Sequence, residues 1–147
     1  MGVLWVDNDV FNYLCKAGCL QEVLQSVPYT LCTTELVQGE AEAASSVLQS
    51  AIDAMMQGAI TVHPLGKPPL DVPLQRVAGL SPADHSLTTC AHHLGGQVLT
   101  NEKRLIRQCA ADGVGCKPFQ EFLEECERNG WLNTHTIQKL RVLCVAV

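Results

Sequence analysis

The sequence predicts an α/β fold in three layers, α/β/α, with a five-stranded parallel sheet in the middle. Five short apolar segments alternate along the chain with stretches whose apolar residues recur at helical spacing. This alternation is typical of strand–helix–strand units, whose parallel strands are covered by helices on both faces. A length of 147 residues with 47% hydrophobic residues suits one domain with a substantial core. We therefore predict a single domain over 1–147, with 130–147 as a C-terminal helical appendage.

The first strand is predicted over 2–6, which is short, apolar and β-branched. Asp7, Asn8 or Asp9 can cap the helix that follows, whose inward stripe begins with Val10 and Phe11. Gly18 is expected to break that helix, and a second one covers 19–26.

The second strand is expected over 29–32, and a helix then begins near Glu35 with Thr33 or Thr34 as its cap. Another helix is predicted over 47–57, and the third strand over 59–62. Four prolines within 63–79 exclude a regular element across most of that stretch. It is either a plain surface connection or a loop that faces a partner or the site.

The second half begins with Ser81-Pro82-Ala83-Asp84, which combines a capping serine, a proline at the first helical position and an acid in the first turn. This helix is expected to run to about Leu94. The remaining elements are a strand over 97–100, a helix from about 101 to 113, a strand over 114–116, and helices over 118–129 and 134–143.

Composition narrows the classes of function. The net charge is −5 and no segment is strongly basic, which disfavours simple binding to a phosphate backbone. An enzyme that contacts phosphate through divalent cations would need acidic ligands and fits better. The eight cysteines form no C-x-x-C pair and are expected to be buried free thiols in a reduced, cytoplasmic compartment. We expect no signal peptide and no membrane span.

Acidic residues recur where predicted strands end. Asp7, Glu35 and Glu102 follow strands one, two and four, and Asp84 lies in the first turn of the helix that leads into strand four. All four positions fall at the carboxyl edge of a parallel sheet, where ligands bind. Clustered carboxylates repel one another, and Mg²⁺ or Mn²⁺ would relieve that repulsion. The pattern therefore favours metal-assisted hydrolysis of a phosphodiester.

Each acid also has a simpler interpretation as a helix cap or as a partner of the helix dipole. Asp9 is an alternative to Asp7, although it lies two residues beyond the strand end. Other acids, among them Glu40, Glu42 and Asp112, are interpreted as parts of solvated helix faces. The histidines His85, His92 and His93 share one helix, and surface or packing roles suit them better than metal binding.

With these motifs in order, the chain resembles a PIN-domain protein of the VapC-like toxin ribonucleases, over roughly residues 2–125. Four segments carry the resemblance, namely Val6-Asp7-Asn8-Asp9-Val10, Thr34-Glu35-Leu36, Leu80-Ser81-Pro82-Ala83-Asp84 and Leu99-Thr100-Asn101-Glu102-Lys103-Arg104-Leu105. The departure is Glu102, where the family usually has Asp. The added methylene means that its carboxylate reaches a metal by a different rotamer.

The resemblance implies cleavage of RNA that depends on Mg²⁺ or Mn²⁺, frequent homodimers, and an antitoxin protein as partner. It implies catalytic and metal-binding roles for Asp7, Glu35, Asp84 and Glu102. Asn8, Thr100 and Asn101 would orient these acids, and Lys103, Arg104 and Arg107 would contact RNA phosphates.

The sequence thus predicts a metal-dependent ribonuclease, as the toxin of a toxin–antitoxin pair. The alternative is a PIN-like scaffold that binds RNA or a protein and has lost catalysis, which Glu102 and the low basic content motivate. A phospho-acceptor receiver domain is disfavoured because Thr61-Val62-His63 supplies no acceptor carboxylate after the third strand.

Overall fold

The computed structural model describes residues 2–44, 46–65 and 77–145. Its centre is a five-stranded sheet in the order β3-β2-β1-β4-β5, with every neighbouring pair parallel. The strands are β1 (Val3–Val6), β2 (Thr30–Thr34), β3 (Thr61–His63), β4 (Gln97–Thr100) and β5 (Gly115–Pro118). Helices separate successive strands and cover both faces, so the predicted three-layer α/β/α fold is confirmed.

The helices agree closely with the periodic segments of the sequence. They are α1 (Asn8–Lys16), α2 (Leu20–Ser26), α3 (Glu35–Ala43), α4 (Gln49–Met56), α5 (Pro82–Leu94), α6 (Lys103–Asp112), α7 (Phe119–Asn129) and α8 (Thr134–Val145). The predicted helix over 47–57 is divided, because its first turn is a 3₁₀ segment, Ser46–Leu48.

The strand boundaries differ from the predictions by one or two residues at β1, β2, β3 and β5, and hydrogen bonds explain the later start of β3 and the later end of β2. The amides of Ala59 and Ile60 both donate to the carbonyl of Ala54, which closes the end of α4 and delays β3 to Thr61. In β2 the hydroxyl of Thr33 donates to the carbonyl of Val6 at 3.0 Å. That bond satisfies a buried polar side chain, and the strand therefore continues two residues beyond Cys32.

The core is continuous and lies on both faces of the central strands. In β1, residues Leu4–Val6 are buried, and the phenylalanines at 11, 119 and 122 are completely buried. α8 buries Ile137, Leu140 and Cys144 and packs against α1 and α7. The segment predicted as an appendage is thus joined to the core.

The proline-rich stretch over 63–79 is predicted to be an irregular connection, either on the surface or facing a partner or the site. Residues 66–76 lie outside the described part of the chain, so the prediction of an irregular connection remains untested there.

Within the described residues, no helix is both long enough and apolar enough to cross a membrane. All eight cysteines are free thiols, of which six are buried and two, Cys15 and Cys116, are half-buried.

Candidate active site

Asp7 lies where β1 ends and α1 begins, at the centre of the carboxyl edge of the sheet. It is the N-cap of α1, and its Oδ1 accepts a hydrogen bond from the amide of Val10 at 2.9 Å. Only 1% of its surface is exposed. Burial raises the pKa of Asp7 to about 8, and the charges of Asp9 and Asp84 add to that increase. The fold therefore holds a carboxyl group that is costly to ionise without a positive partner.

Thr100 connects Asp7 to the neighbouring strand. β4 pairs with β1 so that Val6 lies opposite Leu99, and this register brings Thr100 beside Asp7. The Thr100 hydroxyl donates a hydrogen bond to Oδ2 of Asp7 and accepts one from the amide of Glu102 at 3.0 Å. One buried hydroxyl therefore fixes both Asp7 and the first turn of α6.

We expect Thr100→Val to destabilise the protein by about 1–3 kcal/mol, because a buried acceptor on Asp7 and the Glu102 amide at the start of α6 both lose their hydrogen-bond partner. The pKa of Asp7 should rise further, because the hydrogen bond from Thr100 lowers it. Urea denaturation at pH 7 measures the loss. Thr100→Ser is the matched control, since it keeps the hydroxyl; equal destabilisation by both substitutions would contradict this account.

Asp84 reaches the same edge from α5. Ser81 caps this helix by accepting a hydrogen bond from the amide of Asp84 at 3.1 Å. The hydroxyl of Ser86 lies 2.7 Å from that of Thr34, which ties the first turn of α5 to the end of β2. Burial raises the pKa of Asp84 to about 6, and the charges of Asp9, Glu40 and Glu102 raise it further. Asp84 therefore lies among acids from three other elements of the chain.

Asp9 and Glu102 complete this group at the solvent side. Desolvation raises the pKa of Asp9, and the charge of Glu102 contributes, although the Asp9 side chain remains exposed. Glu102 is half-buried and caps α6, because its Oε2 accepts a hydrogen bond from the amide of Arg104 at 3.0 Å. We name the set Asp7, Asp9, Asp84 and Glu102 the acidic cluster.

Two of the three carboxylates of α3, Glu35 and Glu40, have different positions. Oε1 of Glu35 accepts a hydrogen bond from the amide of Leu65 at 2.6 Å, just beyond β3. Glu40, one and a half turns later, is the α3 carboxylate whose charge raises the pKa of Asp84. The sequence analysis favoured Glu35 and interpreted Glu40 as part of a solvated face. In the structure Glu40 is exposed, as expected of a solvated face, and its charge nevertheless raises the pKa of Asp84, whereas the contact of Glu35 joins α3 to the segment after β3.

The two asparagines predicted to orient the acids make contacts beside the cluster. The amide nitrogen of Asn8 donates to the carbonyl of Val37 at 3.0 Å, which joins α1 to α3. Its Oδ1 is buried and has no hydrogen-bond partner among the described residues. The side-chain amide of Asn101 donates to the carbonyl of Cys144 at 3.5 Å. Burial raises the pKa of Tyr13, and the charges of Asp9 and Asp7 add to that increase. Tyr13 therefore also borders the cluster, which the sequence analysis did not indicate.

The predicted phosphate-contacting residues lie on the exposed side of α6. Lys103, Arg104 and Arg107 are all exposed, in the first turns after Glu102. Gly79 has a positive φ of 82°, and a Cβ there would lie 3.2 Å from Nε of Arg104. The guanidinium of Arg104 is thus held against the turn that precedes α5.

Comparison with solved structures supports the fold. A PilT N-terminus domain protein from the hyperthermophilic archaeon Sulfolobus solfataricus P2 superposes with a TM-score of 0.60. The match covers 85% of this chain and 92% of that one, at 18% sequence identity. The chain has the PIN-domain fold. No protein-family model matches the sequence, and no curated protein matches it either.

The acidic side chains at this edge of the PIN fold are chemically suited to bind a hard divalent cation. Their donor atoms are carboxylate oxygens, the ligands that Mg²⁺ and Mn²⁺ prefer. Burial first, and then the charges of neighbouring acids, raise the pKa values of Asp7 and Asp84, so a bound cation would favour their ionised forms. The buried Oδ1 of Asn8, which has no hydrogen-bond partner among the described residues, is a neutral oxygen on the residue next to Asp7. Within the described ranges, no group of three or more aspartate, glutamate, histidine or cysteine side chains is arranged so that it could hold a metal ion.

Proposed function

We propose that this PIN domain is a metal-dependent endoribonuclease that hydrolyses RNA phosphodiester bonds. The observation that carries the proposal is the burial of the Asp7 carboxyl group, 1% exposed, where the charges of Asp9 and Asp84 also raise its pKa. Structural capping alone requires neither that burial nor that mutual repulsion, since an exposed acid caps a helix equally well. A cation-binding role would explain why the Asp7 carboxyl group is buried at this position.

Mg²⁺ or Mn²⁺ would be held by Asp7, Asp84, Glu102 and Asp9, with Glu40 and Glu35 as the α3 carboxylates that a ligand set could include. When bound, such cations lower the pKa of a coordinated water and stabilise the leaving oxygen of a phosphodiester.

Residues of the chain itself fix the orientation of two acids and supply positive charge beside them. The hydroxyl of Thr100 and the amide of Val10 fix both oxygens of Asp7, so that its carboxyl group has one orientation. The cap at Ser81 fixes the backbone of Asp84. Lys103, Arg104 and Arg107 provide positive charge beside an otherwise acidic edge, where they would contact RNA phosphates.

The remaining parts of the proposal rest on the resemblance of the sequence motifs to VapC-like toxins. They are a role as the toxin of a toxin–antitoxin pair, an antitoxin protein as partner, and a homodimer. Inhibition of cleavage by a small protein encoded beside this chain would support the toxin role.

The test of the proposed activity is direct. Purified protein is incubated with labelled single-stranded RNA at pH 8 in Mg²⁺, in Mn²⁺ or in EDTA. We expect discrete internal cleavage products with either cation and intact RNA in EDTA. Intact RNA under all three conditions, for RNAs of several sequences, would contradict the proposal.

Glu40→Gln should reduce cation-dependent cleavage by about 10-fold or more, on the scale of losses at groups that support a metal site. The charge of Glu40 acts on Asp84, and removing it should also lower the pKa of that carboxyl group. Glu42→Gln is the matched control, since Glu42 is an exposed carboxylate on the same helix. Cleavage rates measured at saturating Mn²⁺ decide the question, and equal rates for both variants would exclude Glu40 from the site.

A PIN scaffold that binds RNA or protein without cleaving remains the second candidate. The observation that favours it is the engagement of Glu102, whose Oε2 is already used to cap α6. Calorimetric titration with Mn²⁺ distinguishes the two functions. Absence of heat on addition of metal, together with retained RNA binding in a filter assay, would select the scaffold.

A further inference from the structure

A cavity of about 450 Å³ lies between the C-terminal end of α1 and one face of α8. Ligand sites for small molecules have volumes of about 300–1,000 Å³, so the cavity is large enough for one. α1 starts directly after Asp7 and ends at Lys16, which lines the cavity. A helix of nine residues is ~13 Å long. The cavity therefore lies at the other end of α1 from the acidic cluster.

Three basic side chains line this cavity. Lys16 comes from α1, and His135 and Lys139 come from α8; all three are exposed. Nζ of Lys139 donates a hydrogen bond to the carbonyl of Ala17 at 3.3 Å, which joins α8 to the end of α1. An ammonium group has three protons, so Lys139 can also donate to a ligand.

The two lysines of the cavity have no acidic partner on this chain. Among the described residues, neither Lys16 nor Lys139 forms an ion pair, although two such pairs occur elsewhere. Glu22 on α2 does not line the cavity, and its Oε2 accepts a hydrogen bond from the hydroxyl of Thr136 at 3.2 Å. The cavity thus presents positive charge to a ligand, on a chain whose net charge is −5.

The other part of the lining is apolar apart from Gln138, and consists of Ala17, Val142 and Leu143. Val142 is 68% exposed, which leaves an aliphatic side chain in contact with water. Along α8 the basic residues come first and the apolar ones follow about a turn later. The cavity therefore has a basic end and an apolar end, and a ligand that matches both is an amphiphilic anion.

We propose that this cavity binds a small organic anion with an apolar body, of the class of medium-chain carboxylates and phosphate monoesters. The anionic head contacts Lys16 and Lys139, and the apolar chain covers Val142 and Leu143. An RNA strand is less suited, since none of the described residues that line the cavity is a Phe, Tyr or Trp on which bases could stack. The site is separate from the acidic cluster, and its test needs no cleavage assay.

The test uses the full chain at pH 7 with three probes that share an eight-carbon chain, namely octanoate, octyl phosphate and 1-octanol. Saturation-transfer difference NMR measures the dissociation constant of each probe below the concentration at which it aggregates. We expect at least one anion to bind saturably and about 10-fold or more tightly than 1-octanol, because only an anion forms charge-assisted contacts with the lysines. The tighter anion identifies the head group. Equal affinity for all three probes, or no saturable binding of either anion, would overturn the proposal.

Substitutions locate the binding. Val142→Glu places a carboxylate in the cavity, where it repels the anionic head and competes for the lysines, and should weaken binding by about 10-fold or more. Val145→Glu is the matched control, since Val145 is 73% exposed on the same helix and does not line the cavity. Lys16→Gln should also weaken binding, whereas Lys103→Gln on α6 should not. Circular dichroism confirms that each variant is folded.

Two results would exclude this cavity as the anion site. One is unchanged binding in Val142→Glu, and the other is an equal loss in Val145→Glu. Sedimentation velocity covers a different occupant, a second copy of the chain. A wild-type dimer that Val142→Glu dissociates, and that octanoate and octyl phosphate leave intact, would assign this face to self-association and overturn the proposal.

Discussion

Asp7→Asn should reduce cation-dependent RNA cleavage by at least about 100-fold, the scale on which loss of one preorganised electrostatic contact acts. Asn has almost the same shape, and its Oδ1 can still accept the hydrogen bond that the Val10 amide now donates to Asp7. The substitution removes the negative charge that a divalent cation requires, and it replaces Oδ2, which accepts from the Thr100 hydroxyl, by an Nδ2 that can only donate to that hydroxyl. The measurement is the initial rate of cleavage of a labelled RNA at saturating Mn²⁺.

The same variant should be at least as stable as the wild type at pH 8 without metal. A buried carboxyl group whose pKa is about 8 is partly ionised there, without a positive partner, and the neutral amide avoids that cost. Asp53→Asn, on the exposed face of α4, is the control and should change neither property. Loss of activity together with loss of stability would point to a structural role for Asp7, and full activity would exclude it from catalysis.

The second large effect is a dependence of stability on pH and metal. The pKa values of Asp7 and Asp84 are raised to about 8 and about 6 in the folded state, from 3.8. Between pH 4 and pH 8 the folded protein therefore binds more protons than the unfolded chain. Stability without metal should fall as pH rises through this range, because these two carboxyl groups lose their protons in the folded protein at a cost.

We expect the melting temperature in EDTA to fall by on the order of 5–10 °C between pH 5 and pH 9. Mn²⁺ should recover most of that loss at pH 8 and little at pH 5, since protonated carboxyl groups are poor ligands. In Asp7→Asn both effects should be much smaller. Differential scanning fluorimetry provides the measurement; a melting temperature that rises with pH in EDTA, with no response to Mn²⁺, would contradict the assignment of these pKa values.

Local signals in the sequence were sufficient to predict most of the fold. The apolar run before Asp7 and the capping sequence at Ser81 each act over a few residues, and both elements begin where they were expected. Boundaries were less accurate where a distant partner decides them. β2 is longer than predicted because Thr33 and Thr34 find hydrogen-bond partners on other elements, which no local pattern reveals.

The placement of three acidic residues at one edge of the sheet was predictable for the same reason. Asp7, Asp84 and Glu102 directly follow strands or open helices, so parallel topology alone brings them to one edge. The contribution of Glu40 depends on how α3 is rotated, and the burial of Val37 and Ala41 decides that rotation. The helical period was available in the sequence, and it could have placed Glu40 beside the buried stripe.

The position of Glu35 depends on Leu65, thirty residues away, and that relation is not local in sequence. Thr100 was expected to orient an acid, and its hydroxyl reaches Asp7 because β4 is the neighbour of β1. The sequence analysis did not place Tyr13 beside the site, because its position in α1 is typical of a core residue. In the structure the tyrosine is 6% exposed.

The central claim, that the acidic cluster holds divalent cations, is tested most directly by a crystal structure of the protein soaked in Mn²⁺, with anomalous diffraction recorded to locate the metal. We predict an anomalous peak within coordinating distance of Asp7 and Asp84, with Glu102 or Asp9 as a further ligand, and no such peak in Asp7→Asn. An ordered cluster without a peak at saturating Mn²⁺, or a peak only at other sites, would contradict the account.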